Sequence, residues 1–142
     1  MNLQELYRMV IMDHYKNPHN KGLFNKEGYK QIHLNNPSCG DDMTVELCLE
    51  NGTIKDVRQD GKGCSICCSS ASVMSQLLIG KTVEEANKLI EAFYQIVTGA
   101  EVEGEDDLEE ALAYKGVSQF PARVKCATLS WKAIEKAIKE SM

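Results

Sequence analysis

An Asn51-Gly52 dipeptide between two strand-like segments constrains the fold of this chain more than any other feature. Residues 43–50 alternate between apolar and polar side chains, which is the pattern of a strand with one buried face. A two-residue hairpin turn needs positive φ at both central positions, and Asn-Gly meets that need. Residues 53–59 are therefore the returning strand of a hairpin, and residues 29–34 are a weaker third candidate for a small antiparallel sheet.

Helical periodicity accounts for most of the remaining chain. The apolar spacing predicts helices over residues 3–16, 64–79, 82–98 and 121–138. Asn2 and Thr82 are N-cap signals, because each precedes a glutamate by three positions, and Pro121 suits a first helical position. The predicted fold class is α+β, with a small three-stranded antiparallel sheet packed with helices.

Residues 101–110 stand apart because seven of these ten side chains are acidic. Blocks of like charge repel one another and are usually solvated. The segment is therefore predicted to be a solvated excursion, with a short helix over residues 108–114.

Length and charge exclude several classes of protein. A chain of 142 residues has the size of one domain, here residues 1–142, and needs no disulfides to fold. A net charge of −5 argues against a nucleic-acid partner. No apolar run approaches the roughly 20 residues that span a bilayer, so no membrane partner is expected. The first 16 residues lack the pattern of a signal peptide, which predicts a cytoplasmic protein with reduced thiols.

Three of the six cysteines lie where predicted elements begin or end. Cys39 falls in a turn between two strand candidates, Cys64 precedes a helix, and Cys126 falls in the first turns of another helix. Glycines beside Cys39 and Cys64 permit tight turns, and a helix N-terminus favours the thiolate. Three thiolates with Asp41 form a ligand set acceptable to Zn²⁺, and thiolates also suit an iron–sulfur cluster. Three small buried thiols are the alternative, and the spacing matches no zinc finger, so both interpretations stay open.

The other cysteines are interpreted as structural or incidental, and the histidines are not expected to bind the metal. Cys64-x-x-Cys67 resembles a redox pair, but no βαβ pattern accompanies it, so Cys67 and Cys68 are assigned to helix packing or to incidental thiols. Cys48 falls on the polar side of its strand. Three thiolates and a carboxylate already complete a tetrahedron, so no histidine is expected to bind the metal. The histidines are His14, His19 and His33.

Four segments resemble the IscU/SufU family of iron–sulfur cluster assembly proteins. They are Asp-His-Tyr-Lys-Asn-Pro at 13–18, Asn-Pro-Ser-Cys-Gly-Asp at 36–41, Gly-Lys-Gly-Cys-Ser-Ile at 61–66 and Arg-Val-Lys-Cys at 123–126. The resemblance covers nearly the whole chain and implies an IscU-like fold, of the SufE/NifU type. It also implies that zinc or a nascent cluster is held by four ligands, namely Cys39, Asp41, Cys64 and Cys126.

Three features make the chain most similar to the SufU type. Lys125 stands where IscU-type scaffolds have a histidine, the chaperone-docking motif Leu-Pro-Pro-Val-Lys is absent, and the acidic segment resembles an extra SufU segment. SufU-type proteins are zinc-dependent sulfur acceptors. They take persulfide sulfur from a cysteine desulfurase of the SufS type and pass it to a cluster-building complex of the SufBCD type. The resemblance therefore implies Zn²⁺ as cofactor and Cys39 as the persulfide acceptor.

The resemblance also implies roles for two basic residues and leaves two other functions open. Arg123 and Lys125 are expected to stabilise the developing sulfur anion or to contact the desulfurase. One alternative is a scaffold that binds iron and assembles a [2Fe–2S] or [4Fe–4S] cluster on the same residues. The other is a zinc-stabilised regulator of the desulfurase. The sequence does not decide whether sulfur transfer is enzymatic turnover, as in a sulfurtransferase, or carriage.

Overall fold

The computed structural model describes residues 2–142 and shows a three-stranded antiparallel sheet packed against helices. The strands are β1 (Lys30–Asn36), β2 (Asp41–Glu50) and β3 (Thr53–Lys62), and they lie in that order in the sheet. The helices are α1 (Leu3–Lys16), α2 (Ser65–Leu78), α3 (Val83–Val97) and α4 (Pro121–Glu140), with a 3₁₀ segment (Glu105–Gln119) between α3 and α4. The predicted α+β class with a three-stranded sheet is confirmed.

The β2–β3 hairpin turns at the predicted dipeptide. Asn51 and Gly52 have φ values of 54° and 76°, and Glu50 pairs with Thr53 across the turn. β3 runs three residues beyond its predicted end at residue 59. This extension carries the chain back to the opposite end of β2, where the next loop begins.

One face of the sheet is covered by α2 and α4. Met43, Val45 and Leu47 of β2 point into this core and are almost fully buried, as their alternation predicts. Glu46 departs from the pattern, because it lies on the predicted polar face and is also buried. Its carboxylate accepts hydrogen bonds from the main-chain N–H groups of Phe24 and Asn25 at 2.7 and 3.0 Å. Glu46 thus fastens the α1–β1 loop over the sheet.

Aromatic side chains join the helices behind the sheet. The rings of Phe93 in α3 and Trp131 in α4 stack with centroids 3.9 Å apart. The indole N–H of Trp131 donates to the hydroxyl of Ser70 in α2 at 2.9 Å, and that hydroxyl donates to the carbonyl of Ala127 at 2.6 Å. Within residues 2–142, no helix has both the length and the apolar character that crossing a membrane requires.

The acidic segment is more ordered than its composition predicts. The expected short helix over residues 108–114 is instead a 3₁₀ segment of 15 residues, with an internal kink at Glu109. Leu108 and Tyr114 are fully buried, and the Tyr114 hydroxyl donates to that of Ser69 at 2.6 Å. The acidic side chains of residues 101–110 are exposed or half-buried, as predicted, and Leu108 is the one buried side chain among these ten residues. The apolar side chains from residue 108 onward pack into the core.

Candidate metal centre

Three separate parts of the chain meet at one end of the sheet. Asn36 pairs with Asp41 where β1 and β2 join, so the turn that carries Cys39 projects from this end. Asp42 pairs with Lys62 at the end of β3, which places the following residues at the same end. α4 packs across β1 and β2 and brings the residues of its first turns alongside. The sheet register therefore accounts for a convergence that sequence spacing does not show.

Cys39, Asp41 and Cys126 each place one ligand atom in a single cluster. These three atoms lie within 4.8 Å of one another. Cys39 is exposed, whereas Asp41 and Cys126 are buried. Two sulfurs and a carboxylate oxygen are donors that suit Zn²⁺, and the sulfurs also suit iron. The centre thus has two shielded ligand groups and one that solvent or a partner can reach.

Cys64 lies beside this cluster, but its sulfur is not one of the three clustered atoms. It occupies the N-cap position of α2, and its main-chain N–H donates to Oδ1 of Asp41 at 3.1 Å. The four-ligand set implied by the resemblance therefore stays a prediction, in which three groups cluster and the fourth is adjacent.

Asp41 has a buried oxygen that no protein group satisfies. The side chain is 1% exposed, and Oδ2 has no hydrogen-bond partner among the described residues. An unpaired buried carboxylate oxygen is costly, because the oxygen loses its hydration without compensation. Coordination to a cation would satisfy it. The residues present therefore fit a bound metal ion.

Gly63 leaves the space that the Asp41 carboxylate fills. A Cβ atom at this position would lie 2.5 Å from Oδ1 of Asp41, closer than real Cβ contacts. From the sequence, the glycines beside Cys39 and Cys64 were expected to permit tight turns. This expectation holds at Gly40, where φ is 71°. At Gly63 the requirement is the close approach of a side chain from β2, which only the register reveals.

Arg123 lies against the sulfur atoms at the start of α4. The negative charge that Cys64 carries as thiolate raises the pKa of Arg123, and hydrogen bonding to Cys126 and Cys64 adds to the effect. Burial raises the pKa of Cys126, and so do hydrogen bonds with Asp41, Cys39 and Cys64. A nearby cation is what favours the thiolate form of such a buried thiol.

Lys125 projects from the outer side of the same helical turn. It is exposed, and none of the ion pairs between described residues includes it. The geometry leaves it free to meet a partner at the rim of the centre, and its expected role stays a prediction.

His14 has a structural role that the sequence reasoning did not identify. Its ring is 1% exposed, with Nδ1 2.7 Å from the Ser72 hydroxyl and Nε2 3.3 Å from Glu110. The Ser72 oxygen also accepts the main-chain N–H of His19 at 2.7 Å. His14 therefore links α1 to α2 and the 3₁₀ segment. In the part of the chain that the structure describes, no histidine belongs to the metal-ligand cluster.

Comparison with known proteins identifies the family of this chain. Residues 6–127 match the family model described as the NifU-like N terminal domain. The chain belongs to this family. The resemblance noted from the sequence motifs is thereby confirmed.

Two named proteins and one crystal structure are similar to this chain along almost its entire length. The zinc-dependent sulfurtransferase SufU of Bacillus subtilis (strain 168) is 47% identical over 137 residues, covering 96% of this chain and 92% of that protein. The scaffold protein IscU of Streptococcus pyogenes serotype M1 is 40% identical over 139 residues, covering 98% and 86%. A crystal structure of FiSufU from Fervidobacterium islandicum AW-1 superposes with a TM-score of 0.80 and 32% identity, covering 96% and 99%. The Bacillus subtilis protein is named for sulfur transfer, whereas the Streptococcus pyogenes protein is named for scaffolding.

Proposed function

We propose that this protein is a zinc-bound acceptor of persulfide sulfur in iron–sulfur cluster assembly. It takes sulfur from a cysteine desulfurase of the SufS type and passes it to a cluster-building complex of the SufBCD type. The observation that carries the proposal is the buried, unsatisfied Oδ2 of Asp41 beside two thiols. The 47% identity to a protein named a zinc-dependent sulfurtransferase supports both the metal and the chemistry.

The metal would be held by Cys39, Asp41 and Cys126, with Cys64 as the adjacent fourth ligand. When bound, Zn²⁺ supplies the positive charge that keeps the ligand thiols deprotonated. The N–H of Cys64 donates a hydrogen bond to the Asp41 carboxylate, and the lack of a side chain at Gly63 leaves room for the carboxylate in this position. This support orients the carboxylate before any metal arrives.

Cys39 is the sulfur acceptor in this proposal, because it is the exposed thiol of the cluster. Its turn is held by the Asn36 carbonyl oxygen, which accepts the N–H groups of Cys39 and Gly40 at 3.2 and 3.0 Å. The Cys39 thiolate attacks the outer sulfur of the desulfurase persulfide. The donor S–S bond breaks, a new S–S bond forms on Cys39, and the desulfurase cysteine leaves as thiolate. Arg123, beside the sulfurs, stabilises the anionic charge, and Lys125 faces the partner.

The Cys39→Ser variant tests this proposal, with Cys48→Ser as the matched control. Cys48 is a half-buried thiol on β2 outside the cluster. Desulfurase and radiolabelled cysteine are supplied, and the sulfur bound to each protein is counted together with its zinc. We expect wild type and Cys48→Ser to accept sulfur and Cys39→Ser to accept almost none. Wild-type uptake by Cys39→Ser would refute the assignment.

A scaffold that assembles the cluster itself is the second candidate. The 40% identity to a protein named an IscU scaffold favours it, and the same sulfur ligands suit iron. Metal analysis of the purified protein separates the two functions. Zinc without acid-labile sulfide supports the sulfur acceptor, whereas iron with a similar amount of sulfide supports the scaffold.

A further inference from the structure

Cys68 is a second accessible thiol, one helical turn beyond Cys64. Its main-chain N–H donates to the carbonyl oxygen of Cys64, the N-cap residue of α2, at 3.1 Å. Its Sγ lies 3.6 Å from the carbonyl oxygen of Gly63, to which the thiol donates. Cys68 is half-buried, whereas the neighbouring Cys67 is fully buried. Cys68 thus lies at the rim of the metal centre without belonging to the ligand cluster.

A cavity of about 270 Å³ opens beside Cys68. Lys21, Lys62 and Gly63 also line it. Both lysines lack an ion-pair partner within residues 2–142. Gly63 contacts the Asp41 carboxylate on one side and the cavity on the other, so this loop is the wall between the metal centre and the cavity. The cavity therefore combines a thiol, two lysines without partners and direct proximity to the centre.

We propose that Cys68 and this cavity form a second sulfur site, which receives persulfide sulfur from the metal centre. The inference rests on the proposed function, in which sulfur enters at Cys39. The sulfur passes from Cys39 to Cys64 by thiol–persulfide exchange, because the Cys64 N–H donates to the Asp41 carboxylate at 3.1 Å and a carboxylate oxygen of Asp41 lies within 4.8 Å of the Cys39 sulfur. The bond between the outer sulfur and Cys39 Sγ breaks as the bond to Cys64 Sγ forms, and the Cys64 thiol proton passes to the Cys39 sulfur. The Cys68 sulfur lies 3.6 Å from the carbonyl oxygen of Gly63, the residue directly before Cys64, which places Cys68 beside the loop that carries Cys64.

The transfer to Cys68 needs no outside oxidant or reductant. The Cys68 sulfur attacks the outer sulfur of the Cys64 persulfide, and the bond between that outer sulfur and Cys64 Sγ breaks as the new S–S bond forms. The Cys68 thiol proton passes to the departing Cys64 sulfur. The products are a free Cys64 thiol and a Cys68 persulfide, so atoms and electrons balance.

The cavity has the charge that a persulfide requires. The outer sulfur of a persulfide is readily ionised, and the ammonium groups of Lys21 and Lys62 attract an anion. Moving the sulfur to Cys68 also returns Cys64 to the metal centre. The chain can then hold one sulfur in the cavity while Cys39 accepts another.

Counting and locating the transferred sulfur tests the second site. The zinc-loaded protein is incubated with desulfurase and labelled cysteine, its bound sulfur is counted, and its position is read by mass spectrometry. We expect about two transferable sulfurs per chain in wild type and about one in Cys68→Ser, a twofold loss. Zinc content stays unchanged in Cys68→Ser, because Cys68 is outside the ligand cluster.

Two further variants sharpen the test. Cys48→Ser, the thiol control, keeps the wild-type count. The double variant Lys21→Met/Lys62→Met keeps sulfur on Cys39 but retains less on Cys68. Sulfur on wild type with none on Cys68 overturns the second site and leaves the proposed function intact. Wild type that accepts no sulfur at all overturns both.

Discussion

Gly63 is the residue on which the position of the Asp41 carboxylate depends. It has no side chain, and the carboxylate occupies the space that a Cβ would need. The same carboxylate oxygen accepts the N–H of Cys64, so a shift at residue 63 changes a ligand and its support together. Groups that orient a ligand without touching the metal influence its affinity strongly.

Replacing Gly63 by alanine should therefore weaken zinc binding. The new methyl group displaces the Asp41 carboxylate, and we expect a loss of about 10–100-fold in affinity, as for other supporting residues of metal sites. Competition with a zinc chelator measures the change. Gly116→Ala is the matched control, because a Cβ there meets no atom within 4 Å. Equal affinity in both variants would contradict the role given to Gly63.

Trp131 contributes a hydrogen bond as well as apolar area. Replacing it by phenylalanine removes the N–H donor to Ser70 and leaves a gap beside Phe93. We expect the free energy of unfolding to fall by about 1–3 kcal/mol, because a buried acceptor loses its donor. Urea unfolding measures the loss. Sulfur uptake by the folded variant should match wild type, and a variant as stable as wild type would refute this account.

At the scale of elements, local signals predicted the hairpin and the four helices, whereas the type and the full length of the 3₁₀ segment were missed for a physical reason. Leu108, Ala111, Tyr114 and Val117 are buried at intervals of three, the period of a 3₁₀ helix. Seven acidic side chains lie just before and among these residues, and this composition favoured a solvated segment more strongly than the spacing favoured a long helical one. A search for period three, besides 3.6 and 2, would have found the buried face.

The α3 helix offers a test of a local signal that was read correctly. The Thr82 hydroxyl accepts the N–H of Glu85 at 3.1 Å, and the Glu85 carboxylate accepts the N–H of Thr82 at 2.9 Å. Thr82→Ala removes one of these bonds, and we expect the protein to lose about 1 kcal/mol of stability. Thermal unfolding compares it with Thr82→Ser, which retains the hydroxyl. If Thr82→Ser lost as much as Thr82→Ala, the cap would not be the cause.

At the scale of the whole molecule, the proposed metal ligands come from elements that are distant in sequence. Motifs predicted Cys39, Asp41, Cys64 and Cys126 as one set, but they did not show that the Cys64 sulfur stands apart from the other three ligand atoms. They also gave no sign of the cavity at Cys68, whose walls come from α1, α2, β2, β3 and the α1–β1 loop. Such features depend on how elements pack, which local sequence patterns do not encode.

Removing the metal should lower the stability of the entire fold. A ligand that binds only the folded state adds about 2.7 kcal/mol when its free concentration is 100 times its Kd. We therefore expect the zinc-loaded protein to melt at a higher temperature than the chelator-treated protein, for wild type and Cys48→Ser alike. Melting temperatures that coincide after verified zinc removal would show that the metal does not link the elements energetically.

The spread of the ligands along the chain also bears on the order in which the molecule is made. Residues 39–64 leave the ribosome before residue 126, and α4 must follow before the apolar face of β1 and β2 is covered. An incomplete chain thus offers only part of the ligand set on an unprotected sheet. If the proposed function holds, a stable metal site therefore forms only once the whole domain has been synthesised, and metal binding precedes sulfur transfer.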